Sequence, residues 1–439
     1  MRLLFTLSLL LGLSGAGCRL ERPAARARIT LEVAIFEGGY GVEWYRQVAR
    51  EYERQHPDIE VNLWGDPRVD EKLKPRVLRG NPPDVANALL PVWRLLLAGK
   101  LYPLDAALDS PAYDQPGTWR QSLVPGVLAS YQYQGKTYAM PTDFGAWVVW
   151  YDRRLFRKHG WTPPRTWNEF RELCHKIKAT GVSPIAFQGK YPIYAWATLL
   201  TLYQRITTPE RWYALQDLTP GAFRDPDFVR AAALLQGMTT AFHQPGANAM
   251  THTESQLEWV NQRAALVFCG LWLYNEMKQA IPTGFEMDCF PVPAVEGGMG
   301  DPRAVYGGGG AHYFVFAQGK HPREGADFLK FMVSKERARS FSRSLGALSP
   351  VRGATQGFPL PASLQSAARI VENAPSVFAD RLAGIYPELA TSILPENLSA
   401  LMRNEITPEA FSQRLEAAAE AIRRNPDLYK PPALGVPKG

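Results

Sequence analysis

Ile29-Thr30-Leu31-Glu32-Val33-Ala34-Ile35-Phe36 alternates and is β-branched, the pattern of a strand, and from Val42 to Gln55 the apolar positions shift to helical spacing. Strand, loop and helix in that order open an α/β domain. The unit recurs. A second strand is expected at Ile59-Glu60-Val61-Asn62-Leu63-Trp64, with a polar loop and a helix near Asp70 to Leu78 after it. Pro83-Asp84-Val85-Ala86 begins a third strand, followed by a helix from Val92 to Leu97. Repeated alternation predicts a mainly parallel sheet with helices on both faces, since parallel neighbours need a crossover. Ligands of such sheets sit beyond the carboxyl ends of the strands, here Glu37-Gly38-Gly39-Tyr40, Trp64-Gly65-Asp66 and the residues after Ala86.

Further along, two short β runs flank a turn between Tyr131 and Pro141, and Trp147-Val148-Val149-Trp150-Tyr151 reads as a strand leading into a helix from Arg153 to His159. Thr166 is placed to cap the next helix, with Glu169 three residues on completing a capping box. Pro184-Ile185-Ala186-Phe187 is a strand entering the loop Gln188-Gly189-Lys190-Tyr191. From there to about Ile281 the pattern is mostly helical, broken by a strand at Ala264 to Phe268. Phe285 to Phe290 and His312 to Ala317 are further strands, the second preceded by Gly307 to Gly310. After Glu324 the chain is helical to Arg424 with proline interruptions, then ends in a Pro-rich tail over 426–439. There is no internal repeat.

Ahead of the first strand, Arg2 precedes an uncharged, largely apolar stretch from Leu3 to Gly17. At about 1.5 Å per helical residue it reaches roughly 22 Å, short of the roughly 30 Å hydrocarbon core, so residues 1–17 read as a signal peptide. Leu13-Ser14-Gly15-Ala16-Gly17-Cys18 resembles the lipobox cut by lipoprotein signal peptidase, which implies Cys18 as a lipidated N-terminus anchored in a bilayer. Gly15 stands where that motif more often has Leu, and ordinary secretory cleavage is the alternative. Residues 18–28 carry Arg19, Arg22, Arg26 and Arg28 against Glu21 alone and lack hydrophobic periodicity, the composition of a tether.

The 439 residues are 46% apolar and 21% charged, which excludes disorder and suits two globular lobes better than one. The net charge of +7 invites a nucleic-acid reading, but setting aside Arg2 and the net three positive charges of the tether leaves +3 for the folded part. No nucleic-acid partner is expected. The three remaining cysteines cannot make a full disulfide framework: at most Cys269 and Cys289 pair, while Cys174, inside a helical pattern, stays a buried thiol. Cysteine spacing gives no zinc motif and the seven histidines are scattered, so no metal or cofactor is expected.

Gly135-Lys136-Thr137-Tyr138-Ala139-Met140-Pro141, then Trp150-Tyr151-Asp152 with Phe156, Gly160 and Pro164-Arg165-Thr166-Trp167, closing on Lys178-Ala179-Thr180-Gly181, follow one another in a characteristic cadence. Asn81-Pro82-Pro83-Asp84-Val85, Leu101-Tyr102-Pro103-Leu104-Asp105, Ala264-Ala265-Leu266 running to Gly270-Leu271-Trp272, Ala326-Asp327-Phe328-Leu329-Lys330-Phe331 and Gly346-Ala347-Leu348-Ser349-Pro350-Val351 add to it. In that order they resemble the extracellular solute-binding proteins of sugar-importing ABC transporters, the maltose-binding-protein-like group. The resemblance implies a two-lobed type II binding-protein fold, each lobe a mainly parallel sheet flanked by helices, with the ligand in the interlobe cleft. Lobe 1 is expected at 29–142 with 311–350 and lobe 2 at 143–305 with 355–425.

A sugar presents hydroxyls and a weakly apolar C–H face, so its site needs carboxylates or amides at the rim and an aromatic ring beneath. Trp272 is the expected platform, from the family's Gly-x-Trp segment, against a core Trp as the plain reading. Asp143, Phe144 and Trp147 follow the hinge crossing at Met140-Pro141, where they either face the cleft or cap and fill a strand end. Glu37, Tyr40 and Asp66 end the first two strands and are cleft or solvated loop. Gln188 and Tyr191 offer an amide and a ring, Gly308 within Gly307 to Gly310 a hinge or close backbone approach, and Arg352 a donor from the second lobe.

The function implied is a lipid-anchored, extracytoplasmic binding protein without catalysis. It would deliver an oligosaccharide or amino sugar, with a chitobiose-like ligand as the nearest branch, to the transmembrane subunits of an ABC permease. A monomer is expected. The alternatives are a surface glycosidase with Asp66 and Asp143 as paired carboxylates, and a binding subunit serving a membrane sensor.

Overall fold

The computed structural model describes residues 28–433 other than 89, 91, 125, 126, 129, 130, 310 and 311. The signal stretch, Cys18, the tether before Arg28 and the last six residues of the tail lie outside the described residues.

Strand β1 (Ile29–Phe36) pairs in parallel with β2 (Ile59–Asp66), Ile29 opposite Ile59 and Phe36 opposite Asp66, and β3 (Val85–Asn87) joins its other side, also in parallel. The crossover helix Glu43–Gln55 buries Trp44, Tyr45, Val48, Ala49 and Tyr52, a one-sided stripe that packs it on the sheet. A small hairpin, β4 (Gln132–Tyr133) and β5 (Lys136–Thr137), turns through Gln134 and Gly135, both at positive φ. The chain continues through β6 (Met140–Pro141), β7 (Phe144–Ala146), β8 (Val148–Asp152), β9 (Ser183–Ala186), β10 (Ala264–Cys269) and β11 (Met287–Pro291). It ends its strands with β12 (Val305–Gly309), β13 (His312–Val315) and β14 (Val377–Phe378).

Two main sheets result, one in each lobe: β2-β1-β3-β13-β6 in the first and β11-β8-β10-β9 in the second. A third, β14-β12-β7, lies where the chain passes from one to the other. The sheets are mixed, which corrects the mainly parallel expectation. β13 is antiparallel to β3 and β6, and β8 is antiparallel to both β10 and β11. The reason is the crossing itself. β8 starts at the interlobe passage and runs away from it, whereas β10 runs towards it and delivers Gly270-Leu271-Trp272 there.

The second lobe's core gathers the helices Ile193–Ile206, Pro226–Phe242, Leu394–Met402 and Pro408–Arg424, with Leu199, Phe228, Leu235, Leu398, Phe411 and Leu415 fully buried. Thr166 Oγ accepts the Glu169 amide at 3.3 Å as expected, but the Glu169 carboxylate takes the Arg165 amide at 2.7 Å, one residue earlier than a capping box requires. All three described cysteines are free and buried. Cys269 and Cys289 sit on β10 and β11, on opposite sides of β8, so two strand spacings of roughly 9 to 10 Å separate them. A disulfide needs Cα atoms within about 7 Å, and this pair is not one.

Candidate ligand-binding site

A cleft of about 920 Å³ lies between the lobes, within the range of small-molecule sites. Gly145 and Ala146 of β7 and Tyr306 and Gly307 of β12 line it from the crossing strands. There β7 and β12 pair antiparallel, Gly308 opposite Gly145. Gly307 has φ +150°, and a Cβ on it would lie 2.2 Å from the Gly145 carbonyl oxygen, so only glycine lets the two crossings pass at this distance. Gly307 to Gly309 therefore serve strand-to-strand approach, with Gly307 itself on the cleft surface.

Three rings from the second lobe form one wall: Trp147 just before β8, Tyr194 in the first turn of the helix Ile193–Ile206, and Trp272 after β10. Their centroids are 5.7 Å (Trp147–Tyr194), 6.2 Å (Trp147–Trp272) and 6.4 Å (Tyr194–Trp272) apart, at tilted or edge-on angles. Each ring is held. Trp147 Nε1 donates to Thr198 Oγ1 at 3.0 Å, and the buried Trp150 indole donates to the Gly270 carbonyl at 3.2 Å, fixing the turn that carries Trp272. The Trp272 ring lies over Gly270, where a Cβ would come within 2.0, 2.3 and 2.4 Å of three ring carbons. The glycine of Gly270-Leu271-Trp272 is thus required by the indole itself. From the first lobe come Leu90, Val92, Trp93, Tyr131, Tyr138 and His312, so the cleft is aromatic on both sides.

The second lobe also supplies two buried carboxylates, Asp380 on the cleft and Glu276 behind Trp272. Asp380 lines the cleft, its Oδ2 taking Trp196 Nε1 at 2.8 Å and its Oδ1 the Leu382 amide at 2.9 Å, and burial holds its carboxyl above the ordinary range. Glu276 is one helical turn beyond Trp272, so both project from the same face. Burial raises its carboxyl as well, against the Gln256 amide that donates to it at 2.6 Å. A Cβ on Gly39 would lie 3.5 Å from Glu276 Cγ, which brings the loop after β1 against the second lobe. In that loop Tyr40 donates to Asp143 Oδ2 at 3.4 Å, and burial first, then the Asp143 charge, raises its phenol.

Of the residues singled out from sequence, the structure brings Trp147, Trp272 and the Gly308 strand to the cleft and places Tyr40 with Asp143 at the junction of the lobes. The others go elsewhere. Phe144 is buried in the core. Asp66 pairs with Lys72 and accepts the Arg68 amide at 2.7 Å, in the turn that leads into the next helix. Gln188 is buried, and both ends of its amide bond the Tyr191 backbone at 3.0 Å, closing a turn that leaves the Tyr191 ring 44% exposed. Glu37 is exposed, and Arg352 Nε donates to the Leu123 carbonyl at 2.8 Å. Asp380, Glu276, Tyr194 and Trp93 escaped the sequence reading. Only Glu276 had a usable signal, its four-residue spacing from Trp272.

The model of the bacterial extracellular solute-binding protein family matches residues 38–338, more than half of the chain. The chain is 25% identical over 414 residues to the diacetylchitobiose binding protein of Streptomyces coelicolor, covering 92% of this chain and 87% of that one. Two solved structures share the fold: one from work on xylan utilization by Caldanaerobius polysaccharolyticus (TM-score 0.75, 22% identity, 89% of this chain and all, 100%, of that one) and a chitin oligosaccharide binding protein (TM-score 0.74, 19% identity, 90% and 98%). The chain belongs to the bacterial extracellular solute-binding protein family.

Proposed function

We propose that this protein captures a carbohydrate, an oligosaccharide or amino sugar, in the interlobe cleft and delivers it to the transmembrane subunits of an ABC importer, making and breaking no bond. The observation that carries this reading is the corner of Trp147, Tyr194 and Trp272 on a cleft that Asp380 also lines: flat rings for C–H faces and a carboxylate for hydroxyls. The names of the relatives, diacetylchitobiose and chitin oligosaccharide binding proteins, favour an N-acetylated sugar. Lobe boundaries at 29–142 with 311–350 and 143–305 with 355–425 are supported by β6 and β13 sharing the first sheet and β8 to β11 the second. A monomer tethered through lipidated Cys18 completes the proposal; mass spectrometry of the membrane-extracted protein tests the lipid.

A thermal-shift screen of residues 28–439 against sugars, amino acids and peptides tests the ligand class. A ligand at 100 times its Kd adds about 2.7 kcal/mol to the folded state. The proposal expects oligosaccharides to give the shift, and a shift with another solute class alone overturns it.

A further inference from the structure

After the last helix, Pro408–Arg424, the chain folds back through a turn in which Asn425 Oδ1 accepts the Asp427 amide at 2.9 Å. Asn425 to Asp427 and Lys430 are exposed, whereas Leu428 and Tyr429 turn inward and pack on the second lobe's core. Tyr429 also reaches the first lobe: its ring stacks with Trp93 (centroids 6.3 Å, 26° between planes) and meets Tyr133 edge-on at 5.7 Å. Trp93 lines the cleft and touches the cores of both lobes. Beyond Tyr429, the Pro432 carbonyl accepts Arg381 Nη1 at 3.2 Å, and Arg381, also on the cleft, is fixed by an ion pair to Asp217.

We infer that residues 425–432 form a strap across the interlobe seam, in which Tyr429 is a positioning residue that holds Trp93 against the second lobe and favours the closed cleft. A segment anchored to one lobe and stacked on the other makes a contact that opening breaks, so it biases the two-state equilibrium of the lobes. The ring contacts of Tyr429 with Trp93 and Tyr133 are a weak fastening across the seam, which leaves opening accessible while slowing escape of a bound molecule, and the Pro432–Arg381 bond anchors the strap on the second lobe. The inference rests on the cleft being the ligand site, but its first test does not.

Small-angle X-ray scattering of the ligand-free protein reads lobe separation directly. Tyr429→Ala and a chain ending at Asn425 are expected to show a larger radius of gyration than wild type, and Tyr429→Phe, which keeps the ring, to match wild type. With an oligosaccharide from the thermal-shift screen, stopped-flow dissociation from Tyr429→Ala is expected to be about three- to tenfold faster, the scale of an aromatic contact, with saturating ligand restoring the wild-type radius. Melting curves confirm that both variants are folded; should Tyr429→Ala not fold, the truncation carries the test. Unchanged scattering for both Tyr429→Ala and the truncation overturns the strap. Altered scattering with no sugar bound by wild type retains the strap and overturns the ligand reading instead.

Discussion

Gly270→Ala is a one-methyl change with a large expected effect on binding. The new Cβ would lie 2.0 Å from the nearest Trp272 ring carbon, with two more ring carbons at 2.3 and 2.4 Å. Ordinary van der Waals contact begins at 3.4 Å, so the indole must retreat by about 1.4 Å or rotate away. Either movement takes the ring out of register with Trp147 and Tyr194, now 6.2 and 6.4 Å away. The backbone is no obstacle to alanine, because Gly270 does not have positive φ. The lost stacking is worth about 1 to 1.5 kcal/mol, about five- to tenfold in Kd by titration calorimetry. Trp272→Ala should lose as much or more, and the double variant no more than Trp272→Ala alone, since both changes remove one ring. Fully additive losses, or Gly270→Ala with wild-type affinity, would show that Gly270 does not set the position of the Trp272 ring.

Other consequences are equally measurable. Asp380 has its carboxyl raised above 3.8 by burial, so a ligand hydroxyl bonded to the carboxylate loses its acceptor as pH falls through that raised value, sooner than for an exposed Asp. Affinity should therefore drop on acidification, while the group's own contribution to folding stability falls as pH rises through the same window, because the folded state holds the proton more tightly. Asp380→Asn should weaken binding about tenfold at neutral pH and flatten the acid limb of a calorimetric pH series; an unchanged limb would remove Asp380 from the site. Gly307→Ala meets the Gly145 carbonyl at 2.2 Å with φ +150°, and is expected to cost about 2 kcal/mol or more in urea unfolding, with wild-type stability as the contrary result. Because Cys174, Cys269 and Cys289 are free, dithiothreitol should leave the melting temperature unchanged; a drop would show a disulfide.

What was legible in the sequence is what local chemistry writes. The alternation of Ile29 to Phe36 and the period of Glu43–Gln55 are properties of a few consecutive residues, and both elements form where the pattern places them. Strand direction was not legible in β8, β10 and β11, because it follows from where the chain crosses between lobes. At the site, Trp272 was readable since its ring imposes a glycine two residues earlier. Gln188 and Asp66 misled because a polar residue after a strand serves equally well to close a turn, and that is how both are used. Asp380 and Trp196 are 184 positions apart and carry no motif; only folding shows them bonded.

On the proposed function, the cleft holds a neutral saccharide through its aromatic corner and leaves it intact. Titration calorimetry of residues 28–439 with chitin-derived and other oligosaccharides, repeated on Trp147→Ala/Trp272→Ala and followed by chromatography of the recovered sugar, tests it most directly. The expected results are one-to-one binding by wild type, at least a tenfold loss in the double variant, and sugar recovered unchanged. Equal affinity in the two proteins, or cleaved sugar, would contradict it.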